Sequence, residues 1–188
     1  VKIVEQKRPK GLADALFAAR PIVGAAPFAL VLPDNVFFPK RGAPGAMAQV
    51  QRAYARTKRD TCGLIKVTPA DAPGFSHAGL VDTAARPRGP VGITRLHGKR
   101  SGHLKMTKRG PMYKTLARAV LTPRFYDYLE TYVKRGPDAD EVPALQALAN
   151  AGELFGILLK GRGFDAGNPR GYAAAVTYWA RRQRQPTK

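Results

Sequence analysis

Apolar residues recur along this chain with two spacings, and their alternation sets out the elements in order. Leu12, Ala15, Leu16 and Ala19 share one helical face within Gly11–Arg20, and Pro21 marks the predicted end of that helix. Pro27-Phe-Ala-Leu-Val-Leu32 is a continuous uncharged run. Its length and its Pro33-Asp34-Asn35 ending predict a strand buried on both faces. Met47, Val50, Ala53 and Tyr54 form a helical stripe between Ala43 and Arg59, and Thr61–Thr68 reads as a second strand. The order helix, strand, helix, strand is the alternation that builds a sheet covered by helices.

From Pro69 to Met112 the periodicity gives way to Gly, Pro and Arg, with two short strand candidates, Ala78–Thr83 and Val91–His97. This stretch reads as a meander with long loops on the ligand side. Lys114–Leu121 is the next strand candidate. Thr122 has the character of an N-cap with Pro123 at the first helical position, and Phe125, Tyr128, Leu129, Tyr132 and Val133 follow at helical spacing. Glu141–Ala151 predicts a helix stopped by Gly152, and Leu154–Leu159 a buried strand. Asn168 and Pro169 repeat the cap-and-first-turn pair ahead of a terminal helix that runs to Arg184. No internal repeat and no linker divides the chain, so residues 1–188 read as one α/β domain.

An apolar fraction of 44% and an aromatic fraction of 9% belong to a packed globule, which sets disorder aside. Cys62 is the single cysteine, so no internal disulfide forms. Its place in Thr61-Cys-Gly-Leu-Ile-Lys-Val67 predicts a buried, inert thiol in a reducing compartment. No apolar stretch approaches the roughly 18–20 residues of a membrane span, and the opening residues do not form a signal peptide. The expectation is a cytoplasmic protein.

Charge changes the picture more than composition does. The net charge is +19, and between Asp82 and Asp127 no acidic residue offsets eleven Lys or Arg. Arg181-Arg-Gln-Arg184 and Lys188 make a second basic run. Such a field attracts phosphorylated ligands, nucleic acid or anionic lipid. Nothing specific supports nucleic acid: the chain has no zinc-ligand spacing, no RNP-like aromatic strand and no helix-turn-helix pattern. The oligomeric state is not legible from these patterns.

Two carboxylates share one setting. Asp34 follows the strand ending at Leu32, and Asp165 is expected in the turn after Leu154–Leu159. In open α/β sheets ligands bind beyond the carboxyl ends of strands, so both residues are candidates for one crevice. Two carboxylates together with phosphate oxygens suit Mg²⁺. Taken singly, each reads more readily as a turn or capping residue. His77, His97 and His103 lack a partner pattern for catalysis.

Three blocks then fall in a known order: Glu5-Gln-Lys-Arg-Pro-Lys-Gly-Leu-Ala-Asp-Ala15, Pro27-Phe-Ala-Leu-Val-Leu-Pro-Asp34 and Asp165-Ala-Gly-Asn-Pro-Arg-Gly-Tyr172. With Ala117-Arg-Ala-Val-Leu121 and Asp140-Glu141-Val142, they resemble the bacterial UTP–glucose-1-phosphate uridylyltransferases, a sugar-1-phosphate nucleotidyltransferase family. The resemblance implies a Rossmann-like nucleotidyltransferase fold with a mixed, mostly parallel sheet flanked by helices. It implies Mg²⁺ at Asp34 and Asp165, uracil recognition by Gln6 and the backbone of Gly11, and sugar contacts at Gly79 and Glu141. It further implies in-line attack by a sugar 1-phosphate on the α-phosphorus of UTP, giving a UDP-sugar and pyrophosphate without a protein nucleophile.

The chain departs from the family's pattern in three places. The Gly-rich strand-loop that opens the family has no counterpart from Val1 onward, which predicts an unpaired strand edge and an uncovered apolar face. The Glu-Lys-Pro block is matched only by Ile93-Thr-Arg-Leu-His-Gly-Lys99, leaving Lys99 as the candidate sugar-phosphate lysine. Ala117 stands where the fourth block has glycine. Two readings stay open: a nucleotidyltransferase, or a non-catalytic relative that binds a nucleotide sugar or uses its basic surface for a polyanionic partner.

Overall fold

A computed structural model of the protein describes residues 1–98, 104, 112–133, 136 and 139–184. Six strands form one sheet in the order β1-β6-β3-β7-β5-β4. These are β1 (Phe28–Val31), β3 (Asp60–Val67), β4 (Leu80–Thr83), β5 (Val91–His97), β6 (Met112–Leu121) and β7 (Leu154–Leu158). A separate ribbon pairs β2 (Asn35–Pro39) with β8 (Gly161–Asp165). The helices are α1 (Leu12–Val23), α2 (Ala46–Thr57), α3 (Arg124–Tyr132), α4 (Val142–Asn150) and α5 (Pro169–Gln183).

Alternation along β3 builds the core on both faces of the sheet. Cys62 and Leu64 point to a cluster holding Ala13 and Leu16 of α1, Leu129 of α3 and Leu148 of α4. Ile65 and Val67 point the other way, where Val50 of α2 packs with Leu116, Val120 and Leu159. The expected helix-covered mixed sheet is therefore present. Its expected weight of parallel pairing is not: among the described residues only β3 and β7 run parallel, and the other pairings are antiparallel. The long strand β6 accounts for part of this, lying antiparallel to β1, β3 and β4.

Several boundaries differ from the sequence reading, each for a local reason. α1 continues through Pro21 and ends at Gly24, whose N–H donates to the Arg20 carbonyl at 3.0 Å. β1 is an edge strand with Ala29 and Val31 exposed, not a strand buried on both faces. Its apolar character serves one face, where Phe28 stacks on Tyr126 with ring centroids 5.4 Å apart. Thr122 does not cap α3; its backbone N–H donates to Asp60 instead, and the helix starts after Pro123. Asn168 does cap α5, its side chain accepting from Gly171 N at 2.9 Å. Asp165 ends a strand, β8, which the Gly-rich stretch Gly161-Arg-Gly-Phe164 concealed.

Candidate functional site

The ribbon brings the two predicted carboxylates together. In its register Asn35 lies opposite Asp165, so Asp34, one residue before β2, sits beside the end of β8. The Ala166 N–H donates to the Asp34 carbonyl at 2.7 Å and locks that junction. A Cβ on Gly167 would lie 2.9 Å from Asp34 Oδ2 and 3.3 Å from Asp165 Oδ1. Both side chains thus converge on one small residue.

Each carboxylate is held from outside. Asp34 Oδ1 accepts from Asn35 Nδ2 at 2.8 Å. Asp165 Oδ1 accepts from Gly167 N at 3.2 Å, and its Oδ2 from the backbone N and hydroxyl of Ser76 at 3.5 and 3.4 Å. Behind Asp34, the Arg118 guanidinium donates to the carbonyls of Leu32 at 2.7 Å and Asn35 at 2.6 Å, clasping the β1–β2 connection on both sides. Burial lowers the pKa of Arg118, and the Asp34 charge opposes that shift.

These elements border a cleft of about 620 Å³ whose wall includes Asp34, Asp165, Gly79, Glu141, Thr115 and Lys114. Four residues singled out by the sequence therefore meet in one place. Gly79 adopts φ +79 there, and a Cβ on it would lie 2.4 Å from the Thr115 hydroxyl, so both conformation and space exclude a side chain. Glu141 stands at the N-cap position of α4 and turns its side toward the same cleft.

Gln6 and Gly11 are not among the residues that line the cleft, although Leu12, next to Gly11, is. Gln6 donates through Nε2 to Asp14 Oδ2 at 2.7 Å. Gly11 has φ +97 and is pressed against the backbone of Ala139, where any Cβ would collide. Its backbone neighbours on both sides are clasped there, Ala139 N donating to Lys10 O at 2.7 Å and Ala13 N to Ala139 O at 3.2 Å. Lys99 and His103 lie outside the described residues. His97 pairs with Asp82 across β4 and β5 at 3.1 Å. Cys62 is buried, and burial pushes its thiol up to about 12, as an inert core thiol requires.

Lys114 was missed by the sequence reading, which used it only to open a strand. It is 4% exposed, and its Nζ donates to the Ala78 carbonyl. Burial lowers its pKa to about 8, while Asp165 and Asp34 push it back up. Strand periodicity carries no signal for this role, because one polar residue in an apolar strand reads as solvent-facing. Among the described residues no group of three or more His, Cys, Asp or Glu gathers for a metal. The donors available in the cleft are carboxylates, hard oxygens that fit Mg²⁺ when a ligand supplies further oxygens.

No family model matches the chain. A curated UTP–glucose-1-phosphate uridylyltransferase of Staphylococcus epidermidis is 25% identical over 181 residues, covering 94% of this chain and 58% of its own length. A second, from Staphylococcus saprophyticus, is 26% identical over the same shares. By sequence, the chain resembles the UTP–glucose-1-phosphate uridylyltransferases. Solved structures agree on the fold. A UDP-glucose pyrophosphorylase complexed with UDP-glucose superposes with a TM-score of 0.77 at 21% identity, over 94% of this chain and 64% of that one. A UTP-bound enzyme of the same kind from Acinetobacter baumannii gives 0.73 at 22% identity, over 92% and 57%. The expected nucleotidyltransferase fold is thus present, and the chain spans less than two thirds of the uridylyltransferases and pyrophosphorylases it matches. Among the described residues no helix is long and apolar enough to cross a membrane.

Proposed function

We propose that the cleft binds a nucleotide sugar and belongs to a Mg²⁺-dependent uridylyltransferase that makes UDP-glucose and pyrophosphate from UTP and glucose 1-phosphate. The observation that carries this reading is the meeting of Asp34 and Asp165 at Gly167, in the same cleft as Gly79 and Glu141. In the reaction, a phosphate oxygen of the sugar 1-phosphate forms a bond to the α-phosphorus of UTP as the bond to the β-phosphate oxygen breaks. Such displacement rests on alignment and charge neutralisation more than on covalent chemistry by the protein.

The chain's own groups would orient the reactants. The bare backbone of Gly79 lets a sugar ring approach the cleft wall, and the Glu141 carboxylate accepts from sugar hydroxyls. Gln6 reads a uracil edge through Oε1, since Nε2 already donates to Asp14. Asp34 and Asp165 would hold Mg²⁺, which would supply charge neutralisation for the phosphates when bound. Lys99 is the further candidate for the sugar phosphate.

A second reading has one specific observation in its favour. The charged groups among the described lining residues are Asp34, Asp165 and Glu141 against Lys114 alone. So acidic a wall suits holding a neutral sugar and a metal-neutralised diphosphate more readily than turning over a triphosphate. On this reading the chain binds a nucleotide sugar without catalysis.

Isothermal titration with UDP-glucose, with and without Mg²⁺, tests the shared core of both readings. Binding is expected to need Mg²⁺ and to weaken at least about tenfold in Asp34→Ala, the loss of a charged ligand interaction. Binding that is absent, or indifferent to Asp34, overturns them.

A further inference from the structure

Lys114 stands out as a buried cation with little to satisfy it. An ammonium has three donors, and among the described residues Lys114 Nζ donates to one carbonyl, that of Ala78. Taking an amine out of water costs several kcal/mol unless an opposite charge or good hydrogen bonds compensate. A tether for the Ala78 segment does not require that cost. Thr115 N already donates to Gly79 O at 2.7 Å, and β4 pairs with β6 at Leu80↔Lys114 and Val81↔Tyr113.

The surroundings point the amine toward a ligand. A Cβ on Gly79 would lie 2.4 Å from the Thr115 hydroxyl and 3.6 Å from Lys114 Nζ, so the Gly79 backbone is a close neighbour of the amine. Asp34 and Asp165 line the same cleft, and their charges oppose the fall in the lysine's pKa that burial causes. An incoming phosphoryl group would meet three carboxylates there, and Lys114 is the one cation among the described lining residues.

We infer that Lys114 is the anion-holding residue of the cleft, its ammonium hydrogen-bonding a ligand phosphoryl group beside the bare backbone of Gly79. The inference deepens the nucleotide-sugar reading and rests on it for the identity of the ligand. The phosphoryl group belongs to a sugar phosphate or to the diphosphate of a nucleotide sugar. Oriented by a fixed ammonium, it is kept away from Glu141 and presented next to the two aspartates.

The test is titration of the full chain with three probes: UDP-glucose, uridine and inorganic pyrophosphate. Two variants accompany it. Lys114→Met removes charge and donor, while Lys114→Gln keeps a donor for the Ala78 carbonyl. Both should lose at least about tenfold in affinity for UDP-glucose and pyrophosphate, the size of a charge-assisted hydrogen bond, and bind uridine within about twofold of the parent. Restored affinity in Lys114→Gln, or an equal loss for uridine, would make the lysine a tether and overturn the inference. If the parent binds neither UDP-glucose nor uridine, the nucleotide-sugar reading fails. Pyrophosphate then decides separately: Lys114-dependent binding upholds the anion site, and absent or Lys114-independent binding overturns it.

Discussion

A single buried carboxylate illustrates how far one atom's environment reaches. Asp60 is 2% exposed; its Oδ1 accepts from Thr122 N at 2.6 Å, but its Oδ2 has no partner. Burial raises its pKa to about 6, with the Glu153 charge adding to the rise and the Thr122 bonds and Arg124 opposing it. A carboxylate whose folded pKa lies above its unfolded value binds protons preferentially in the native state. Its favourable contribution is full below about pH 4 and is lost as pH rises through 6. In Asp60→Asn that titration is gone. The parent should therefore lose stability relative to the variant by on the order of 2 kcal/mol between pH 4 and 7. Parallel thermal melts of both proteins across that range would reveal it. A pH-independent difference would mean that Asp60 titrates normally.

At the scale of elements, the site depends on a clasp that no motif announces. Arg118, on β6, bridges the carbonyls of Leu32 and Asn35 and so fixes the turn that carries Asp34. Arg118→Ala should weaken Mg²⁺-dependent UDP-glucose binding several-fold, about 1 kcal/mol, although the residue does not line the cleft. Arg118→Lys should not restore it, because one ammonium cannot span both carbonyls as a planar fork does. Titration of both variants reads this out; full affinity in Arg118→Ala would show that the turn holds Asp34 unaided. The same strand shows where sequence reading succeeds and where it stops. Runs of apolar residues located β3, β4, β5, β6 and β7, because burial on a regular element leaves a pattern of side chains, and the Asn168–Pro169 pair located the cap of α5. It did not find β8, whose glycines carry no side-chain pattern, nor the irregularity in the β3–β6 pairing between Cys62 and Leu64. That irregularity puts Ala117 at φ 47, where the related blocks carry glycine. The carboxylate pair was legible as two residues after strands, but its closeness comes from the Asn35↔Asp165 register, a pairing between distant segments.

On the scale of the whole molecule, the charge and the cleft point in opposite directions. The chain carries a net +19, yet the described wall of the cleft has three carboxylates and one ammonium. The described excess lies on outer surfaces instead. Arg52, Arg56, Lys58 and Arg59 are exposed on and just after α2, and Arg170, Arg181 and Arg184 are exposed around α5. Two ligand classes should therefore bind independently. A polyanion such as heparin gathers on the basic surface by releasing counterions, so its affinity should fall at least about a hundredfold between 50 and 300 mM salt. UDP-glucose meets a compact site with few net charges, and its affinity should change less than about threefold over the same range. Asp34→Ala should weaken the second at least about tenfold and leave the first untouched. Titrations of each ligand in the presence of the other complete the comparison, with no competition expected. Competition, or a shared salt dependence, would mean that the polyanion enters the cleft and that the basic field takes part in ligand binding there.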